Sequence, residues 1–177
     1  MNEPLRSILL GSAGLDIATI AALILTVRRA PRSTAPDFVL LGWITFAIQG
    51  LHFVEELLTG FEKRFPVLLG LEPWPETFFV SFNVAWLIIW AAALITVGRF
   101  RVALFPLWFL AIAAIANGIA HPLGSVAVRG YFPGLVSAPL LGVAGVLLFA
   151  RLMAFTRPAT ARPSPAAAPR RARARCL

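Results

Sequence analysis

His52, Glu55 and Glu56 fall within five residues of one apolar run, and Asn117 and His121 stand four residues apart in another. Steps of three and four residues share a helical face. His52 and both carboxylates therefore lie on one side of a helix, the carboxylates about 100° apart around its axis, and Asn117 and His121 lie on one side of a second helix. Two imidazoles and a carboxylate are a familiar zinc set with an open fourth position, and a further carboxylate extends the set to iron or to a metal pair. His52, Glu55, Glu56 and His121 are accordingly the candidate metal ligands. A zinc-bound water, its pKa lowered toward about 7, would attack an ester, amide or phosphoester. In that reading the carboxylate of Glu55 or Glu56 left off the metal is the general base, and Asn83 and Asn117 orient ligand or substrate. The candidate catalytic residues are thus His52, Glu55, Glu56, Asn83 and Asn117. The chain has neither His-Glu-x-x-His nor His-x-x-Glu-His, and Gly60 stands where a Glu-Glu-x-x-x-Arg protease needs arginine.

Two other readings stay open. Neighbouring carboxylates share a dry site poorly, so one would stay protonated and could isomerise or cyclise a lipid without metal, Trp86 and Trp90 facing the cation. Alternatively the polar residues form a proton or ion relay, or fasten a lipid-binding or scaffold bundle. Asn83 and Asn117 equally suit interhelical hydrogen bonds, and His121 before Pro122 suits a helix cap.

The elements that must carry these residues are membrane helices. Of 177 residues, 59% are apolar and 14% charged, about half the charge a soluble domain needs. Mean hydropathy is +0.81. Apolar runs predict an all-α polytopic membrane bundle with five spans, at residues 7–27, 38–58, 77–98, 102–121 and 132–155. Residues 60–76 are too polar to cross and read as an interfacial segment, 122–131 as a second short cap, and 157–177 as a disordered Arg/Pro/Ala-rich tail. Arg28 and Arg29 follow the first run rather than preceding it, so it reads as a retained span and not a signal peptide. One cysteine excludes a disulfide framework.

The loop at 28–36, the turn at 99–101, Arg151 and the tail hold 12 of the 16 basic residues. Positive-inside asymmetry then predicts N-out, C-in in the plasma membrane, with the C-terminus cytoplasmic. The net charge of +8 reads as this topology signal, with no nucleic-acid partner. The expected partners are membrane lipid and a hydrophobic small-molecule substrate, and Gly142 and Gly145 offer a small-residue face for a homo-oligomer. An ionisable group inside a bilayer costs about 3 kcal/mol, so each should face the bundle interior. On this topology His52, Asn83, Asn117 and His121 all fall in the outer half, while Asp16 lies about 13 Å down.

The segment Leu51-His52-Phe53-Val54-Glu55-Glu56, followed by Thr59-Gly60-Phe61, resembles the signature of the HXXEE family of small integral membrane proteins. Asn83, Asn117-Gly118-Ile119-Ala120-His121 and Tyr131-Phe132-Pro133-Gly134-Leu135 resemble later positions of that family, and the likeness covers residues 8–155. It implies a transmembrane helical domain and names no reaction, leaving zinc or iron as the cofactors the residues themselves suggest.

Overall fold

The computed structural model describes residues 3–33 and 36–158. Seven α-helices account for most of them: α1 (Glu3–Gly11), α2 (Ala13–Arg28), α3 (Val39–Thr59), α4 (Phe61–Leu68), α5 (Glu76–Thr96), α6 (Leu104–Val128) and α7 (Ala138–Phe155). Two short strands, β1 (Arg29–Pro31) and β2 (Thr156–Pro158), pair antiparallel and tie the end of α2 to the end of α7. Arg157 and Pro158, expected in a disordered tail, are therefore ordered in β2. The rest of that tail lies outside the described residues.

Among the described residues, three helices are long and apolar enough to cross a membrane: α5, α6 with the 3-10 turn before it, and α7. The pair α1–α2 makes a fourth if it is one bent span. The first run is not the continuous helix expected. It breaks at Ser12 by 54° between α1 and α2, where Gly11, Ser12 and Gly14 combine low helix propensity with a carbonyl that accepts from both Leu15 and Asp16. Asp16 consequently sits in the first turn of α2 with its side chain exposed, where the helix dipole favours an acid. Helix α3 has spanning length but carries Gln49, His52, Glu55 and Glu56, which keep it out of the apolar set.

The centre of the bundle is α6, whose spanning window is 56% buried against 22% for α5. Leu104, Leu107, Trp108, Leu110 and Ala111 are fully enclosed along it, and α2, α5 and α7 pack around it. The α6–α7 contact is closest where glycine meets glycine. A Cβ on Gly118 would lie 2.6 Å from the Gly142 Cα, and one on Gly145 would lie 2.7 Å from Ala114. The small-residue face assigned above to a second copy is thus taken up inside the chain.

Two boundaries near the site also differ from expectation. Helix α6 does not stop at Pro122 but continues to Val128, closing at Arg129 with φ 50°. An interior proline costs one backbone bond and about 3 kcal/mol. The turn beyond it recovers packing, with Gly124 seated on the Phe132 ring. His121 therefore lies inside a helix instead of capping one. Residues 132–137, expected in the fifth span, form the turn that leads into α7, and this turn closes over the site.

Candidate metal centre

Helix α3 ends because Gly60 adopts φ 75°, its N–H donating to the carbonyls of Glu56 and Leu57 as the chain reverses directly into α4. The last two turns of α3 present His52 and Glu56 at i,i+4 toward α6, which presents His121. His52 is 0% exposed, His121 2% and Glu56 5%. The rings cross edge to face with centroids 4.6 Å apart. Glu56 Oε1 lies 3.5 Å from His52 Nε2 and 3.3 Å from His121 Nε2, and one ligand atom from each residue falls within 4.8 Å of the others.

The hydrogen bonds on the far side of each ring decide which nitrogen carries the proton. His121 Nδ1 meets the Pro133 carbonyl, which can only accept, so Nδ1 bears the hydrogen. His52 Nδ1 lies 2.8 Å from Ser137 Oγ. The single hydroxyl proton of Ser137 goes to Glu55 Oε2, leaving Oγ to accept from His52. With Nδ1 of each ring committed to its outer partner, both rings turn Nε2 toward Glu56 Oε1, and His52 Nε2 is buried without a partner in hydrogen-bond geometry. Two imidazole Nε2 atoms and a carboxylate oxygen converge in a buried site, an arrangement that could hold a metal ion and in which the carboxylate charge is balanced either by such an ion or by protons on the rings. Ligand atoms on a tetrahedron with bonds of about 2.0–2.1 Å stand about 3.4 Å apart. The two Glu56 edges already have that length; the third sets how far one ring must swing.

Glu55, expected beside Glu56, is elsewhere. Its Oε1 accepts from Tyr131 Oη at 2.7 Å and Val136 N at 2.9 Å, and its Oε2 from Ser137 N at 2.8 Å and from the Ser137 hydroxyl. Four donors make it an anchor for the turn before α7, outside the His–Glu–His group and without a free lone pair for ligation or base work. The two carboxylates therefore do not share one dry site. Their separation around the helix, legible in the spacing, sends one toward the turn and the other toward α6.

Spacing alone did not find the turn. Gly134, at φ 82°, lies so close to both rings that a Cβ there would stand 2.6 Å from His121 and 2.7 Å from His52. With Pro133 and Ser137 it fixes the orientation of both imidazoles, as outer partners of metal ligands do. Tyr131, Pro133 and Gly134 were visible only as family-like positions. The phenol of Tyr131 titrates above its ordinary value, first because it is partly buried and then because it donates to the Glu55 carboxylate.

On its open side the group borders a cavity of about 440 Å³. Glu56, His121, Asn83 and Asn117 line it, whereas His52 lies behind and Glu55 outside. Aromatic rings make up most of the remaining wall. Phe61 and Phe65 stack at 4.9 Å on α4 and meet Trp74, roofing one end, and Trp86 packs on Phe109 at 4.2 Å at the other. Asn83 donates to Phe79 O of its own helix.

A family model described as a protein of unknown function with HXXEE motif matches residues 43–149. The chain belongs to the HXXEE family. The motif that names the family is His52-x-x-Glu55-Glu56, so in this HXXEE protein the histidine and the second glutamate face His121 while the first glutamate holds the turn above them. No curated protein and no solved structure matches the chain.

Proposed function

We propose that this HXXEE protein is a membrane-embedded metalloenzyme in which His52, Glu56 and His121 hold one zinc or iron ion against a lipid-filled cavity. The observation that supports the reading is the convergence of three buried ligand atoms from two helices: both rings engage their outer partners through Nδ1, leaving Nε2 of each within 3.5 Å of Glu56 Oε1. Glu56 and His121 border the cavity, so the free coordination position opens into it.

The substrate class follows from the walls. A cavity of this size, mostly aromatic and set among apolar helices, suits a lipid or amphipathic molecule. Hydrolysis at the metal, with bound water activated by the ion, is the reaction the ligand set supports best. Glu55 is too heavily hydrogen-bonded to serve as a base, which leaves Glu56 as the one carboxylate among the described residues lining the cavity. Metal-free catalysis by paired carboxylates loses its support, because the two do not face one another.

The proposed setting is a five-span bundle in the plasma membrane, with the site toward the outer face and the C-terminus in the cytoplasm. The arginines of β1 and the 99–101 turn gather at one end and the site lies near the other. Metal analysis of detergent-purified protein tests the centre. We expect about one zinc or iron per chain, lost in His52→Ala and His121→Ala. Wild-type protein that carries no metal and takes up neither added zinc nor ferrous ion overturns it.

A further inference from the structure

The cavity continues inward beyond the His–Glu–His group. Asn117 lies one turn below His121 on α6 and Gln49 two turns below Glu56 on α3, depths of about 6 and 10 Å. Gly42 meets Leu94, and the Phe53 and Phe79 rings lie 5.7 Å apart, contacts that register α3 antiparallel to α5. Gln49 and Asn83, each four residues further in than that ring pair, stand at one depth. Three carboxamides from three helices therefore ring the cavity below the metal ligands.

Their hydrogen-bonding capacity is unfilled. Gln49 is 4% exposed and its Oε1 has no partner. Asn117 makes no side-chain hydrogen bond among the described residues, and Asn83 bonds only its own helix, through its amide nitrogen. Below them the buried Trp90 Nε1 is also unpartnered. A purely structural role would pair these amides across helices, and they are not paired. Each polar group left bare in an apolar site costs free energy that a ligand group would recover. Among the described residues that line the cavity, Glu56 and His121 alone are ionisable. A ligand at this depth meets amide and indole dipoles and finds no counter-charge.

We infer that Gln49, Asn83 and Asn117 form a second subsite, which binds a hydroxyl or carbonyl group on the body of an uncharged lipid. The inference rests on the metal-centre reading for what happens at the upper end of the molecule and is independent of it for binding. The apolar remainder of the lipid lies along Trp86, Trp90 and Phe109.

Bromine on a lipid chain quenches nearby tryptophan, and Trp86 and Trp90 border this cavity, so quenching reports occupancy directly. Purified full-length protein is titrated with a brominated long-chain ketone, the corresponding alcohol, a brominated alkane of equal length and a brominated fatty acid. The ketone or alcohol should bind about tenfold more tightly than the alkane and the ionised acid, the worth of one or two net hydrogen bonds. In the Gln49→Leu, Asn117→Leu double variant that preference should vanish while alkane binding persists. A wild-type protein with no preference over the alkane, or one preferring the acid, overturns the subsite, as does a double variant that keeps the preference. The wild-type comparison stands even if the variant does not fold. Metal content read on the same samples separates this outcome from that of the metal centre.

Discussion

The two ends of the bundle treat polar groups in opposite ways. At the end closed by β1 and β2, arginine donors are matched to main-chain acceptors. Arg101 bonds the carbonyls of Thr26, Val27 and Arg29, and Arg29 bonds Thr156 Oγ1 and the carbonyls of Met153 and Thr156. These are the orphan carbonyls at the C-termini of α2 and α7, where a cation also complements the helix dipole. At the other end polar groups gather in the interior without full pairing. Glu56 meets the Nε2 atoms of two imidazoles in a buried cluster, and Gln49 Oε1 and the Trp74 indole are buried unpaired. A bundle selected for stability alone would not keep such a group, which costs free energy until something enters it. One end holds the fold together; on the proposed reading the other is kept at the fold's expense for a ligand.

The sharpest way to break that comparison is Glu56→Gln. Removing the charge should abolish metal binding, a loss of at least about 100-fold, larger than for any outer partner. In metal-free protein the same change should leave thermal stability unchanged or raised, because an amide donates to an imidazole nitrogen where a carboxylate cannot. A variant that binds metal normally, or one that unfolds with or without it, would make Glu56 a structural residue. Next in size is Gly134→Ala. A methyl group 2.6–2.7 Å from both rings must displace them, and φ 82° adds backbone strain. Metal affinity should fall about 10–100-fold with the helices retained by circular dichroism.

Particular residues show why so much of this was legible and why the rest was not. Apolar length identifies the helical segments well, because it is a one-dimensional property of the bilayer. It does not see the Ser12 break, since a bent span is as apolar as a straight one, nor the continuation of α6 past Pro122, which depends on Phe132 packing on Gly124. His52 and His121, 69 positions apart, could be brought together only through their common depth. Ser137 carried no signal, as it acts through a hydroxyl in a turn, and Pro133, visible only as a family-like position, gave no hint of its role because it acts through a backbone carbonyl. The separate fates of Glu55 and Glu56 lay in a 100° step, readable only once the neighbours on each side were known.

Smaller effects sharpen the contrast between ends. Ser137→Ala removes the acceptor that holds the proton on His52 Nδ1, so metal affinity should fall about tenfold. Arg101→Ala should do the reverse. It leaves three carbonyls to water at an exposed edge, lowering stability by about 1 kcal/mol and the unfolding temperature by a few degrees, with metal affinity unchanged. If Arg101→Ala weakens the metal or Ser137→Ala does not, the two ends are coupled and their division of labour fails.

The smallest expected effect belongs to Tyr131, one of four donors to Glu55. Its phenol titrates above the reference value of 10.0, so the hydrogen bond contributes fully below that pH and is lost as pH rises through the raised folded value. Tyr131 is 42% exposed, and water screens the contribution. Thermal unfolding of wild type and Tyr131→Phe should therefore differ slightly at neutral pH and converge on the alkaline side of 10.0, where the ionised phenolate no longer donates to the carboxylate. Metal affinity should change less than in Ser137→Ala, because the two backbone amides and the Ser137 hydroxyl still hold Glu55 in place. Curves that stay parallel across the alkaline range would mean that the turn over the histidines does not depend on this bond, and that Ser137 and the amides position it alone.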